Sequence, residues 1–153
     1  MTDATTDRLA GISNQMSLDE IGLFLGEVRQ AIAGVIRSDG APQLSPIWFL
    51  FESGKVYFSI LVASAKFRQL ERSARMSLCV DAGHPDARAV MVQGRAELIR
   101  DQSAWSDDLT WRIERRYFES DEAAQEYRDE MASLGDSALV ALSPDRIWGR
   151  DFN

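Results

Sequence analysis

A short basic segment, Ser64-Ala-Lys-Phe-Arg-Gln-Leu-Glu-Arg72, has the residue types and spacing needed to bind an anion. It follows a strand-like pattern, and Ser64 is a good N-cap, so we predict a helix with Lys66 in its first turn. A helix N-terminus presents free N–H groups, to which Lys66 and Arg68 add charge, and this combination suits a phosphate group. On composition alone, a solvated surface helix is the more common case, and that alternative stays open.

Aromatic side chains are concentrated in the two strands predicted before this segment. Trp48, Phe49 and Phe51 belong to the first strand, and Tyr57 and Phe58 belong to the second. Paired strands with aromatic side chains can form a flat apolar wall for a planar ring system. Packing in an ordinary core is the more frequent use of such residues, so both interpretations are kept.

Two polar residues begin the first of these strands. Gln43 and Ser45 could hydrogen-bond the edge of a ligand's ring or its hydroxyl groups. The alternative is that they form the ordinary polar face of a strand.

Several other classes of site lack the residues that they would need. No Gly-x-Gly-x-x-Gly follows a predicted strand, and no phosphate-binding loop ending in Gly-Lys-Ser/Thr is present. His84 and Cys79 are the only residues of their types, which is too few for a zinc site. His84 precedes Pro85 in a polar turn, where an exposed loop residue is a better interpretation than a triad member. The carboxylates are spread along amphipathic helices, where solvated faces are expected.

The composition is that of one globular domain. The chain has 153 residues, of which 45% are hydrophobic and 27% charged, enough to bury a core without metal or disulfide cross-links. A net charge of -7 argues against general binding to nucleic acid or to anionic membrane. The single cysteine and the polar, acidic start, which lacks signal-peptide features, predict a cytoplasmic protein. Residues 1–16 are predicted to form a flexible N-terminal arm, and residues 17–153 a single cofactor-binding domain.

Hydrophobic periodicity predicts one helix and three strands in the first part of the chain. Ser17 and Glu20 are typical of a capping box, and the helix that they begin should end near Gly26. The strands are joined by tight turns at Asp39-Gly40 and Ser53-Gly54, so we expect an antiparallel meander. These three strands are predicted at 31–36, 43–52 and 55–62.

The remainder of the chain contains further strands and a helical region. A helix is predicted at 64–74 and another helical stretch at 103–134. The long strand contains Gly94, which permits a bulge. Many strands with peripheral helices favour a small barrel over a parallel sheet. The predicted strands are at 75–81, 88–100, 137–142 and 146–152.

Five segments within residues 18–100 occur in an order and at spacings typical of one family. They are Asp39-Gly-Ala-Pro-Gln-Leu-Ser-Pro-Ile-Trp-Phe49, Gly54-Lys-Val-Tyr-Phe-Ser59, Ala65-Lys-Phe-Arg-Gln-Leu70, Arg75-Met-Ser-Leu-Cys-Val-Asp81 and Val92-Gln-Gly-Arg-Ala-Glu-Leu98. With them the chain resembles the pyridoxamine 5'-phosphate oxidase-like FMN-binding split barrels, a family of flavin- and deazaflavin-dependent oxidoreductases. The resemblance implies a mainly β fold with peripheral helices, an antiparallel split β-barrel of about six to seven strands.

The resemblance also implies an activity and an assembly. We expect a homodimer with a cofactor site at the subunit interface, holding FMN or, as the alternative, the deazaflavin F420. The expected reaction moves a hydride between the cofactor and a small organic substrate. A non-catalytic flavin or haem carrier or sensor, and a structural dimer with an emptied site, are the competing hypotheses.

Ten residues match positions that bind the cofactor in this family. Lys66 matches the phosphate-binding lysine, and Ser64 and Arg68 lie in the same segment. No catalytic side chain is expected, because the cofactor's ring performs the chemistry. The other matching residues, of which the last two face the partner subunit's cofactor, are Gln43, Ser45, Trp48, Phe58, Ser59, Gln93 and Trp148.

The chain departs from the family pattern at two places. Ser64 stands where many members have arginine, and Gln69 stands where they have asparagine. The C-terminal segment Trp148-Gly-Arg-Asp-Phe-Asn153 is shorter than the Trp- and Arg-containing tail of true pyridoxine-phosphate oxidases. Oxidation of pyridoxamine phosphate itself is therefore not expected.

Overall fold

Antiparallel strands make up most of the computed structural model, which describes residues 14–153. The predicted class, mainly β with peripheral helices, is confirmed. The four helices are α1 (Leu18–Gly26), α2 (Ala65–Arg72), α3 (Ala104–Arg115) and α4 (Asp121–Ala132). The seven strands are β1 (Ala31–Ile36), β2 (Pro42–Ile47), β3 (Leu50–Glu52), β4 (Lys55–Leu61), β5 (Arg75–Asp81), β6 (Arg88–Ile99) and β7 (Ser137–Asp151).

All seven strands belong to one sheet, in the order β2-β1-β5-β6-β7-β4-β3. Both predicted tight turns are confirmed, because Gly40, Ser53 and Gly54 have positive φ angles of 84°, 51° and 76°. The predicted meander is wrong, however. β2 pairs with β1 and β3 pairs with β4, so these two hairpins lie at opposite edges of the sheet.

The chain crosses from one sheet edge to the other at Trp48 and Phe49, so the strand predicted over 43–52 is two strands. At the crossing, side chains replace the missing strand partners of Phe49. Its N–H donates to the hydroxyl of Tyr117 at 3.1 Å, and its carbonyl accepts from the guanidinium of Arg116. The Tyr117 hydroxyl donates in turn to the carbonyl of Arg29 at 2.7 Å. The crossing therefore connects the two edges of the sheet.

A bulge separates the two halves of the long β6–β7 ladder. Gln93 pairs with Arg146 and Gly94 pairs with Pro144, so Asp145 is the extra residue. The predicted bulge at Gly94 is confirmed, but the two strands predicted at 137–142 and 146–152 are the single strand β7. A side chain at position 94 would collide with the carbonyl of Ser143, which explains why glycine stands there.

Two helices occupy the region predicted as one helical stretch. Ser120 begins α4 because its hydroxyl accepts the N–H of Ala123 at 3.1 Å. The segment between the two helices contains Tyr117, whose hydroxyl accepts the N–H of Phe49 at the crossing. Leu109 and Ile113 of α3 are buried with Tyr57, Leu139 and Ala141, which attaches this helix to the outside of the barrel.

The first helices of the chain pack against the barrel core. Ile21, Phe24 and Leu25 of α1, and Phe67 and Leu70 of α2, are buried among the inward side chains of the strands. Ser17 caps α1 as predicted, by accepting the N–H of Glu20 at 3.1 Å. Of the helices within residues 14–153, none combines the length and the apolar character needed to span a membrane.

Most of the predicted arm over residues 1–16 lies outside the described residues. Its last three residues differ from that prediction, because they join the domain. Gln15 forms a bridge with Arg150, and the N–H of Met16 donates to the carbonyl of Gly149 at 2.9 Å. The Met16 side chain is buried in the core, so the folded domain begins before Ser17.

The bulge leads to a stability prediction. Gly94→Ala should lower the free energy of unfolding by about 2–3 kcal/mol, because the new methyl group must displace backbone. The matched control is Gly22→Ala in α1, where an added Cβ meets no atom within 4 Å. It should raise the stability by about 0.5–1 kcal/mol, since alanine is the better helix former. Urea unfolding measures both, and equal effects would contradict the bulge geometry.

Candidate functional site

A cavity of about 580 Å³ lies between the barrel and helices α3 and α4. This volume is within the range of about 300–1,000 Å³ that is usual for small-molecule sites. The barrel side of the cavity is formed around the end of β2, the end of β4 and the start of α2, and the helix side includes Thr110 and Met131. Four of the ten predicted site residues line it, namely Trp48, Ser59, Ser64 and Lys66.

The start of α2 places a cation in this cavity. Ser64 caps the helix by accepting the N–H of Phe67 at 3.2 Å, and the buried Phe67 ring anchors the first turn to the core. Lys66 lies in that turn, lines the cavity and is half-buried. Burial lowers the pKa of Lys66, and no carboxylate within residues 14–153 offsets this effect. An anion bound beside the ammonium group would do so.

Arg68 has a different environment from its neighbour Lys66. Its side chain is exposed, and its guanidinium donates to the carbonyl of Ala63 at 2.9 Å. It therefore braces the turn that enters α2, and it does not line the cavity. The structure brings Lys66 and Ser64 to the cavity but not Arg68.

Trp48 forms the centre of an aromatic cluster at the cavity wall. Its ring stacks on Tyr117 with centroids 4.7 Å apart and an angle of 8° between planes. Phe118 meets it edge-on at 5.5 Å, and Tyr127 of α4 lies 4.9 Å away. Tyr117 also accepts a hydrogen bond from Phe49 at the crossing. The cluster therefore attaches the segment between α3 and α4 to the barrel at the cavity wall.

The predicted residues of β2 and β4 have mixed positions. Gln43 and Ser45 are half-buried opposite Val35 and Ala33 of β1, and they do not line the cavity. Phe58 is fully buried in the barrel core, on the opposite face of β4 from Ser59. Its side chain therefore has no surface to offer a ligand, and of the two interpretations kept for these aromatic residues, Phe58 follows packing in an ordinary core.

Gln93 and Trp148 lie together on the outward face of the sheet, away from the cavity. Gln93 is exposed and pairs with Arg146, and Trp148 is half-buried beside it. The guanidinium of Arg146 lies 4.2 Å from the centre of the Trp148 ring. Their expected contact with a partner subunit's cofactor stays a prediction.

Helices α3 and α4 form the roof of the cavity, and their lining residues were not predicted from the sequence. Glu114 of α3 is only 9% exposed and lies against Arg128 of α4, with Nε and Oε2 3.1 Å apart. Arg128 also pairs with Asp107 at 3.3 Å. Burial, with a smaller contribution from Asp107, raises the pKa of Glu114. No local pattern distinguishes Glu114 from exposed carboxylates, because its partner lies on the next helix.

The cavity thus combines a lysine that has no ion-pair partner among residues 14–153, a buried carboxylate and aromatic walls. These groups can bind and orient a ligand that carries an anionic group. Within the part of the chain that the structure describes, no three His, Cys, Asp or Glu side chains are placed to hold a metal ion.

Solved structures of similar fold include proteins with known cofactors. The TM-score is 0.77 with a conserved hypothetical protein from Mycobacterium tuberculosis, at 24% identity over 92% of this chain and 88% of that one. A FAD-binding protein from Mesorhizobium loti gives 0.69 at 16% identity, covering 91% and 97% of the two chains. An F420 reductase gives 0.61 at 17% identity, covering 80% and 91%. At these identities the matches establish the split-barrel fold.

The match to a family model extends over nearly the whole chain. The model for pyridoxamine 5'-phosphate oxidase matches residues 18–151, which include every helix and strand described above. The resemblance seen in five sequence segments is thereby confirmed, and the chain belongs to the pyridoxamine 5'-phosphate oxidase family.

Proposed function

We propose that the protein is a flavin- or deazaflavin-dependent oxidoreductase that transfers a hydride between its cofactor and a small organic substrate. The observation that carries this proposal is Lys66 at the start of α2, a half-buried cation for which the described residues provide no carboxylate partner. A ligand with an anionic tail supplies the missing charge. Family membership and the F420 reductase and FAD-binding neighbours support a nucleotide of the flavin or deazaflavin class.

The residues around Lys66 fit the phosphate of such a nucleotide. The first-turn N–H groups of α2 and the ammonium group favour an anion, and the hydroxyls of Ser59 and Ser64 line the same cavity. When bound, the cofactor's ring supplies the hydride chemistry. The chain itself holds the tail and positions the ring, while α3 and α4 exclude water from above.

FMN is the first choice of cofactor, and F420 is the alternative. Absorbance spectroscopy and mass spectrometry of the ligand extracted from protein purified from cells distinguish the two directly. Turnover with a reductant and an acceptor separates the enzyme from a carrier that binds the cofactor without reaction. Protein that carries no ligand, and gains no thermal stability from added FMN or F420, would contradict both hypotheses.

Lys66→Ala should weaken binding of the cofactor by about 1.5–3 kcal/mol, because it removes a charge-assisted contact from a partly buried site. This corresponds to a dissociation constant roughly ten to one hundred and fifty times larger. Titration of FMN and of F420, followed by fluorescence, measures the change.

The matched control is Lys55→Ala, which removes the other lysine of the chain at the far end of β4. Lys55 does not line the cavity, so its variant should keep the affinity of the wild type. Equal effects of the two substitutions would show that general charge, and not contact with the phosphate, accounts for the loss.

The proposal includes a homodimer formed through the outward face of the sheet. Ile32, Leu44 and Met91 lie on this face, together with Gln93 and Trp148. Leu44 is 67% exposed, and Ile32 is also exposed. A contiguous apolar patch of this kind is typical of an interface, and a second copy of the chain would cover it symmetrically.

Leu44→Glu should therefore dissociate the dimer, because it buries a charge in the interface. Light scattering at micromolar concentration should give twice 17.2 kDa for the wild type and 17.2 kDa for the variant. Leu23→Glu is the control, since Leu23 is 77% exposed on α1 and is not part of this face. A wild-type mass of one chain would overturn the proposed dimer without affecting the cavity.

A further inference from the structure

The outward side chains of β5 carry opposite charges at the two ends of the strand. In chain order they are Arg75, Ser77, Cys79 and Asp81, and both charged residues are exposed. About 20 Å separates the two ends, because a strand rises about 3.3 Å per residue. Within residues 14–153, neither Arg75 nor Asp81 has an oppositely charged side chain at ion-pair distance. The outward face of β5 therefore presents a cation at one end and an anion at the other.

Arg75 lies beside a second cation. It is directly opposite Arg95 in the β5–β6 ladder, where side chains of like charge repel each other. Arg95 is exposed as well, and it too has no carboxylate partner among the described residues. A carboxylate supplied by another molecule would relieve this repulsion.

A second copy can cover the outward face in two aligned ways, which differ in the direction of the two-fold axis. Sheets that pack face to face lie about 10 Å apart with nearly aligned strands, and the axis lies between them. An axis along β5 would place Arg75 over the partner's Arg75, and likewise Asp81 over its own copy. An axis across the strands at the level of Leu78 reverses β5. Because Arg75 and Asp81 are equally far from Leu78 in the strand, each then meets the other.

An axis at the level of Leu78 also matches the apolar side chains of this face. Ile32 and Gly34 of β1 lie on either side of that level, and Pro46 and Leu44 lie beside them on β2. Reversal places Ile32 over the partner's Gly34, which has no side chain to oppose it. It places the exposed Leu44 over the partner's Pro46, which is also exposed. The same axis thus brings apolar groups together in the middle of the face and opposite charges together at its ends.

We propose that the second copy packs with its β5 antiparallel over β5 of the first, and that the two-fold axis crosses both strands at the level of Leu78. Each Arg75 then faces Asp81 of the partner subunit, and the symmetry makes this contact twice in a dimer. This register rests on the homodimer proposed above and specifies how its subunits meet. It does not depend on the identity of the cofactor.

Arg75→Asp and Asp81→Arg test the contact, each alone and then mixed in equal amounts. Each variant alone places like charges together at both contacts, so its dimer dissociation constant should rise at least about tenfold. A mixed dimer has opposite charges at both contacts. Analytical ultracentrifugation of the mixture should therefore give a mass near twice 17.2 kDa, as for the wild type.

The matched control is Lys55→Asp, which changes the charge by the same amount as Arg75→Asp. Lys55 begins β4, in the hairpin at the opposite edge of the sheet from β1 and β2. This variant should dimerise like the wild type. Dissociation of the Lys55→Asp dimer would show that net charge, and not the contact of Arg75 with Asp81, accounts for the effect, and would overturn the register.

The remaining outcomes separate the register from the other proposals. Single variants that stay dimeric, or that dissociate and do not associate on mixing, would overturn the register and leave the dimer. A wild-type mass of one chain would overturn both. Arg75 and Asp81 do not line the cavity, so both variants should keep the affinity of the wild type for FMN. Dimeric wild-type protein that binds neither FMN nor F420 would contradict the oxidoreductase, while recovery on mixing would still support the register.

Discussion

At Phe49 the chain leaves one edge of the sheet and joins the other, so side chains must satisfy the backbone groups of this residue. Buried backbone groups without partners cost about 1–3 kcal/mol each. Tyr117 and Arg116 provide those partners from a distant part of the sequence. Tyr117 also stacks on Trp48. The same few contacts therefore connect the two sheet edges and hold α3 and α4 over the cavity.

Local sequence signals were sufficient to predict much of this architecture. The bounds of β5 agree with the prediction, the Asp39-Gly40 and Ser53-Gly54 turns form, and Gly94 marks the bulge. Each of these features depends on conformational preferences of a few adjacent residues. The start of α2 belongs to the same group, since the cap at Ser64 and the position of Lys66 follow from one short segment.

Features that depend on distant partners could not be predicted in the same way. Residues 43–52 have an unbroken strand pattern, and only the contacts of Phe49 with the α3–α4 junction show why the strand divides. Phe58 alternates with Ser59 as expected, but the pattern does not say which face meets the core. Glu114 resembles other helical carboxylates until α4 places Arg128 beside it.

Helices α3 and α4 lie outside the sheet, yet they supply Glu114, Tyr127 and Arg128 to the cavity. Ser64 and Lys66, in contrast, are held by the barrel and its core. Substitutions on the cavity side of α3 and α4 can change the chemistry of this wall while every strand pairing stays intact. The architecture is thus modular, because one wall of the cavity is fixed by the barrel and the other is carried by helices that can vary independently of the sheet.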